Sequence, residues 1–379
     1  DHYVDTVEAG TILMPRATAG TAVPVIRNAP STAISCNRDV EVSGFTVENP
    51  GSVGINASLG GNMTITRNTV SGTPAGLDGI YVASTDPGDV FDAQIHDNVV
   101  SNCGYNGIGV GADCASFNVG LSNNTVSNCS GLAGISFVAG QCDGTIDVSG
   151  NTSNSNNSGS GWAGGMHIQT DGNLTGTIAN NTTNGNELDG IAVVAGYLAA
   201  SDIDLDVTGN TANNNGQLGI TISQDAGTMT GTLSGNTLQD NESGLYVYAT
   251  NAAASLDVLN NTISGSTVGH GLSAFAAQLN ATISGNTIEN NAGEGCRLGT
   301  TVGGTGGDVT FSNNSLSGNN SGSTEFTAFH DGSGAFTLRM GDNTSTNTPP
   351  PANYQLINTG TGTFNFIDEG GNVGTFSGP

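Results

Sequence analysis

A period of 25 to 30 residues runs through most of this 379-residue chain, and no other feature constrains its fold as tightly. Each copy turns on an asparagine. "ITRNTV" holds Asn68, "IHDNVV" Asn98, "LSNNTV" Asn124, "VSGNTS" Asn151 and "IANNTT" Asn181. "VTGNTA" (Asn210), "LSGNTL" (Asn236), "LNNTI" (Asn261), "ISGNTI" (Asn286) and "FSNNSL" (Asn314) follow, with a decayed copy at Asn343 and an early one, "VSGFTV", at Phe45. Self-similarity at such a period signals stacked structural repeats and outranks any reading element by element.

A second motif rides on the same period. It reads "GIYV" at Gly79, "GIGV" at Gly107, "GISF" at Gly134, "GIAV" at Gly190, "GITI" at Gly219 and "GLYV" at Gly244. "GMHI" (Gly165), "GLSA" (Gly271) and "GCRL" (Gly295) are variants. Apolar residues stand two apart, which is strand alternation with one buried face. No stripe of helical spacing appears. One repeat per turn of a coil explains why the motif keeps landing on one face. Each strand then lies parallel to its counterpart one coil away, at ~4.8 Å. Inward residues such as Ile283, Ile288 and Leu298 stack on their equivalents, at roughly 1.5–3 kcal/mol for each buried aliphatic side chain. The bend asparagine is expected to take the left-handed backbone angle and to bond its counterpart in an amide ladder.

With these letters in view, the chain resembles the right-handed parallel β-helix repeats of the pectate-lyase-like superfamily. The match is to the "I-x-G-N-T-I … N-N … G-I" form of bacterial surface and periplasmic proteins, over residues 41 to about 345. The resemblance implies an all-β chain, a single right-handed parallel β-helix (solenoid) of about a dozen coils. It leaves function open, because the same coil hosts lyases, hydrolases, adhesins and phage spikes. Residues 1–40 are expected to form an irregular first coil and 41–345 the repeats. The segment 346–379, whose Pro triplet cannot join a central strand, is expected to hold a loop and closing turns.

Charge narrows the partners. Only 10% of residues are charged, with 32 acids against six arginines and no lysine, for a net charge of −26. This argues against nucleic acid and anionic membranes. No apolar run reaches the ~20 residues of a helical span. The chain opens "DHYVDTVEAG", which reads as a mature or excised segment. Cys103 and Cys129 each sit five residues after a bend Asn, and Cys114 and Cys142 follow the "GI" strands of the same coils. Stacked positions fall within disulfide reach, so Cys103–Cys129 and Cys114–Cys142 bridges are expected, in an oxidising extracellular or cell-surface compartment. Cys296 takes an inward Ile position as a free core thiol.

Chemistry is sparser. "GHGLS" around His270 resembles the histidine motif of polygalacturonases, but the paired aspartates that inverting hydrolysis needs are absent. Lyases of this fold use Arg or Lys as the base; Arg297 shows no carboxylate cluster in its coil, and Arg67 is expected to pair with Asp97. Trp162, His167, Glu187 and Asp189 fall in two adjacent coils and form a candidate carbohydrate platform. His167 and Asp189 are offset by about three residues along the strand, roughly 10 Å, too far for a catalytic hydrogen bond. Asp202, Asp204 and Asp206 lie on one outward strip, and Asp86, Asp89 and Asp92 in a loop, as calcium candidates that offer too few oxygens alone. No outward face is expected to depart from small polar residues over several turns. These readings point to a monomeric extracellular or cell-surface scaffold of adhesive or structural role, without catalytic residues or a resident cofactor, meeting carbohydrate or cell-surface molecules. The alternative is a polysaccharide lyase, glycoside hydrolase or carbohydrate-binding β-helix.

Overall fold

The computed structural model describes residues 4–7, 12–13, 25–37, 39–157, 164–319, 324–346 and 353–377. Among them there is no helix, and every strand pairing is parallel. The chain forms two compact units, residues 1–191 and 192–379.

In the N-terminal unit each coil is three strands. The "GI" strands Ile55–Ala57, Ile80–Ser84, Ile108–Ala112, Ile135–Ala139 and Met166–Thr170 stack in register. So do the longer strands Asn62–Thr66, Val90–His96, Ser116–Ser122, Asp143–Ser149 and Leu174–Ala179. Six short strands, from Val25–Arg27 to Thr152–Asn154, close the third side. The C-terminal unit repeats the plan, with a short third sheet from Thr211–Asn213 to Thr344–Ser345. There the first two strands of a coil merge in Ser243–Leu259 and again in Leu272–Ser284. The stacking continues past the Pro triplet, which itself lies outside the described residues: Tyr354–Asn358 pairs with Phe326–His330, and Thr363–Gly370 with Ala335–Gly341.

The interior follows the alternation. Val47, Val70, Val100 and Val126 form one fully buried column, and Leu238, Ile263, Ile288 and Leu316 another. Ile283, Ile288 and Leu298 are buried as expected, and Cys296 stands inside as a free thiol between Leu272 and Phe326.

The bend differs from expectation in one respect. Positive φ falls on the residue before the bend asparagine, at Arg67, Asp97, Asn123, Gly150 and Asn180. The asparagine itself points inward and is almost wholly buried. Asn98 Nδ2 donates to Asn124 Oδ1 at 3.0 Å and to the Ile65 carbonyl at 2.8 Å, while its Oδ1 accepts the backbone N–H of Asn68. A left-handed residue just before the asparagine turns the corner, and the freed side chain caps backbone groups the corner would bury unpaired. The ladder runs Asn68, Asn98, Asn124, Asn151, Asn181 in one unit. In the other it runs Asn210, Asn236, Asn261, Asn286, Asn314, Asn343, and on to Asn372.

A second ladder stands five residues further on. It joins Asn156 to Asn186, Asn215 to Asn241, and Asn291 to Asn319. Asn319 bonds in turn to the buried carboxylate of Glu325. Cys103 and Cys129 occupy the equivalent letter of their coils, next to this ladder, and the backbone N–H of Cys129 donates to Asn156 Oδ1.

Candidate functional site

Alternation on the "GI" strands of the C-terminal unit leaves two outward columns. The first carries Tyr246, Ser273, Arg297 and Thr327; the second carries Tyr248, Phe275, Gly299 and Phe329. From the sequence only small polar residues are expected on such a face. The structure overturns that: four partly exposed rings and one guanidinium gather over consecutive strands, around a cavity of about 490 Å³. Gly299 makes the gathering feasible. It adopts φ 156°, and a Cβ there would lie 2.0 Å from the Phe329 carbonyl oxygen. With no side chain between them, the Phe275 and Phe329 rings approach to 6.5 Å across the intervening coil. The Arg297 guanidinium lies 4.6 Å from the Phe329 centroid and 5.9 Å from that of Phe275. Tyr246 and Tyr248 stack beside them at 5.9 Å.

An ionisable trio adjoins this face. His270 and Glu294 occupy the same repeat letter, just before the "GI" glycine, in adjacent coils. The backbone N–H of Glu294 donates to His270 Nδ1 at 3.0 Å. The neutral ring therefore carries its proton on Nε2, so Arg297 Nη1, 3.5 Å away, meets a second donor and not an acceptor. Burial and the Arg297 charge hold His270 below its ordinary pKa, against the opposing Glu294 carboxylate. Glu294 Oε1 accepts from Thr324 and Thr327. Its Oε2 faces Arg297 Nε at 4.0 Å and His270 at 3.9 Å, and neither Oε2 nor Nε makes a hydrogen bond. Arg297 has one carboxylate beside it, that of Glu294 in its own coil. Comparing the letter before the glycine from coil to coil would have found the His270–Glu294 pair.

Of the residues expected to form a sugar platform, His167, Glu187 and Asp189 lie among the described ones. Trp162 lies outside the described residues. His167 is 3% exposed, with Nδ1 unbonded, and burial holds its pKa down to about 4. Asp189 is buried, and Glu187 is exposed. Asp202, Asp204 and Asp206 accept hydrogen bonds from Thr228, Thr230 and Thr232 on the neighbouring strand. Arg67 reaches Ser43 and not Asp97, which pairs with His96. All six cysteines are free thiols in the structure. Cys114 and Cys142 stand 3.4 Å apart at sulfur, and Cys103 hydrogen-bonds Cys129.

A profile of the right-handed beta helix region matches residues 25–153 and 93–263, well over half of the chain. The chain belongs to the right-handed β-helix family. A second profile, periplasmic copper-binding protein (NosD), matches residues 203–344 of this β-helix protein. No curated protein and no solved structure matches it. The name of the second profile raises copper, and the residues do not fit it. Among the described residues no three His, Cys, Asp or Glu side chains converge. Both His330 nitrogens are engaged, by Thr300 and the Gly334 carbonyl, and the Cys296 thiol is enclosed, with burial pushing its pKa well up. What the β-helix does present over that segment is the aromatic and arginine face.

Proposed function

We propose that the chain is an extracytoplasmic β-helix scaffold that holds carbohydrate on the outward face of Ser243–His330. The observation that carries this reading is the set of rings at Tyr246, Tyr248, Phe275 and Phe329 with Arg297 lying among them. A sugar offers apolar C–H faces to such rings and hydroxyls to charged donors and acceptors. Rings fixed on a sheet lose little freedom on binding, which favours weak, repeated contacts along a polymer. The acidic composition turns the expectation toward neutral glycans. A location outside the cytoplasm is supported by the periplasmic name of the second profile, and no helix is long and apolar enough to cross a membrane among the described residues. Adhesion at a cell surface is the role such a binding face serves.

A second reading rests on Glu294, whose unbonded oxygen sits beside Arg297 and His270. A carboxylate poised with a cation at the edge of a sugar face suits glycan cleavage. A glycan array followed by titration of the hits, with reducing-end and unsaturated-product assays on the same polysaccharides, separates the two. Binding that is lost in Phe329→Ala, with no product formed, supports the scaffold. Turnover that is lost in Glu294→Gln supports the enzyme, and no binding to any glycan overturns both.

A further inference from the structure

The N-terminal unit carries a different cavity, of about 480 Å³, over the outward faces of Ile80–Ser84, Ile108–Ala112 and Ile135–Ala139. Missing side chains create it. Tyr81 stands in register with Gly109, and Ala83 with Gly111. A methyl group on Gly109 would lie 3.0 Å from Asp78 Oδ2 and 3.4 Å from the edge of the Tyr81 ring; one on Gly111 would lie 3.4 Å from the Tyr81 hydroxyl. A carboxylate and an aromatic ring thus border one gap. Tyr105 and Val138, both exposed, complete the lining with Asp113 at its margin.

Asp78 meets this gap with no counter-ion among the described residues. Its Oδ1 accepts the backbone N–H of Asn106 at 3.0 Å, and among the described residues no ion pair includes it. Among the described residues the arginines of this unit are turned elsewhere, Arg27 to Glu48 and Arg67 to Ser43. Burial pushes the Asp78 carboxyl up to about 6, against the hydrogen bonds from Asn106. The same carboxylate, after burial, raises the Tyr81 phenol.

We propose that this cavity binds a small organic cation, an alkylammonium whose charge sits at Asp78 and whose carbon atoms pack against Tyr81 and Tyr105. An uncompensated carboxylate in a largely apolar lining favours an incoming positive charge. Tyrosine faces attract the same charge through their quadrupole. A bare metal ion is the wrong occupant, because calcium needs about six to eight oxygens and the lining offers few. A neutral sugar would leave the carboxylate uncompensated. Among the described residues the groups facing Asp78 are Tyr81 from the strand that follows it, Cys103 and Cys129 from neighbouring corners, and Asp113 at the margin; none is a cation at neutral pH.

The test is calorimetric titration of the whole chain with choline and with neohexyl alcohol, its uncharged carbon isostere, at neutral pH and again at pH 5. Choline is expected to bind at least about tenfold tighter than the alcohol. That preference is expected to vanish in Asp78→Asn and at pH 5, where the carboxyl, titrating near 6, is neutral. Tyr105→Ala, at an exposed ring, is expected to weaken choline by a factor of about five while leaving the thermal melting curve in place. Equal binding of the two probes, no binding of either, or choline affinity unchanged in a folded Asp78→Asn protein overturns the proposal.

Discussion

Asn124 Oδ1 accepts both the backbone N–H and the side-chain Nδ2 of Asn98, at 3.1 and 3.0 Å. One amide oxygen thereby satisfies two donors of the coil below, while Asn124 Nδ2 serves the Ile95 carbonyl. In Asn124→Ala the Asn98 N–H is left buried and unpaired, and the Asn98 Nδ2 and the Ile95 carbonyl each lose a partner. Each such orphan costs about 1–3 kcal/mol, so a loss of roughly 3 kcal/mol is expected in urea unfolding. Asn118→Ala, at an exposed strand position, is expected to stay within about 0.5 kcal/mol. Equal effects of the two would remove the ladder from the account of stability.

We propose that the two stacked cysteine pairs close on oxidation. The Cys114 and Cys142 sulfurs stand 3.4 Å apart across adjacent coils, and the Cys103 and Cys129 thiols interact across theirs. Attack needs a thiolate, and here the pairs differ. Cys103 is held below the ordinary thiol value by the hydrogen bond from Cys129, whereas burial and Cys142 push Cys114 up to about 12. Cys103–Cys129 is therefore expected to form first under mild oxidant, followed by Cys114–Cys142. Peptide mapping without reductant over a time course reads the order; cross-pairing between the two sets would contradict it.

On the aromatic face, Arg297→Lys is expected to behave almost like Arg297→Ala. A planar guanidinium stacks on Phe329, and an ammonium does not reproduce that contact. For any glycan hit, both variants should lose about tenfold in affinity. Full retention in the lysine variant would mean that charge alone matters there.

Gly299→Ala tests how that face is built. The new Cβ would meet the Phe329 carbonyl, at a backbone angle alanine rarely adopts. Strands Cys296–Thr300 and Phe326–His330 must then part or twist, at a cost of about 1–3 kcal/mol. Melting is expected to drop, and glycan affinity with it. A variant that melts like the parent would show that the backbone yields freely at this point.

His167 makes stability depend on pH with a definite sign. Buried, it stays neutral down to about pH 4, whereas in the unfolded chain it takes a proton near 6.5. Between those values the unfolded state binds the extra proton, so stability present above pH 6.5 is lost as pH falls toward 4, by roughly 3 kcal/mol. His167→Phe should flatten that part of the stability curve. Asp78 acts oppositely, because its raised carboxyl pKa favours the folded state at lower pH, so the variant and not the parent curve is the measurement that decides.

The sequence by itself determined what burial and periodicity dictate. Inward letters must be apolar in every coil, so Ile283, Ile288, Leu298 and the misfit Cys296 were all readable as core. The bend asparagines were readable as a ladder, because a buried amide has to find a partner at each repeat. A further copy in "GGNVG", where Asn372 extends the ladder, is masked in the sequence by drift in the preceding letters. Outward letters obey no such rule, and only the tertiary structure decided which of them meet. Tyr248, Phe275, Gly299 and Phe329 stand 27, 24 and 30 residues apart, yet share one column. Unequal loops absorb those differences, so the neighbour of an outward residue depends on where each strand restarts and not on a fixed count. The left-handed angle likewise fell on the residue before each asparagine, because the asparagine side chain is needed inside. Periodic burial writes the interior into the chain, whereas the surface that meets a ligand is composed only when the coils settle into register.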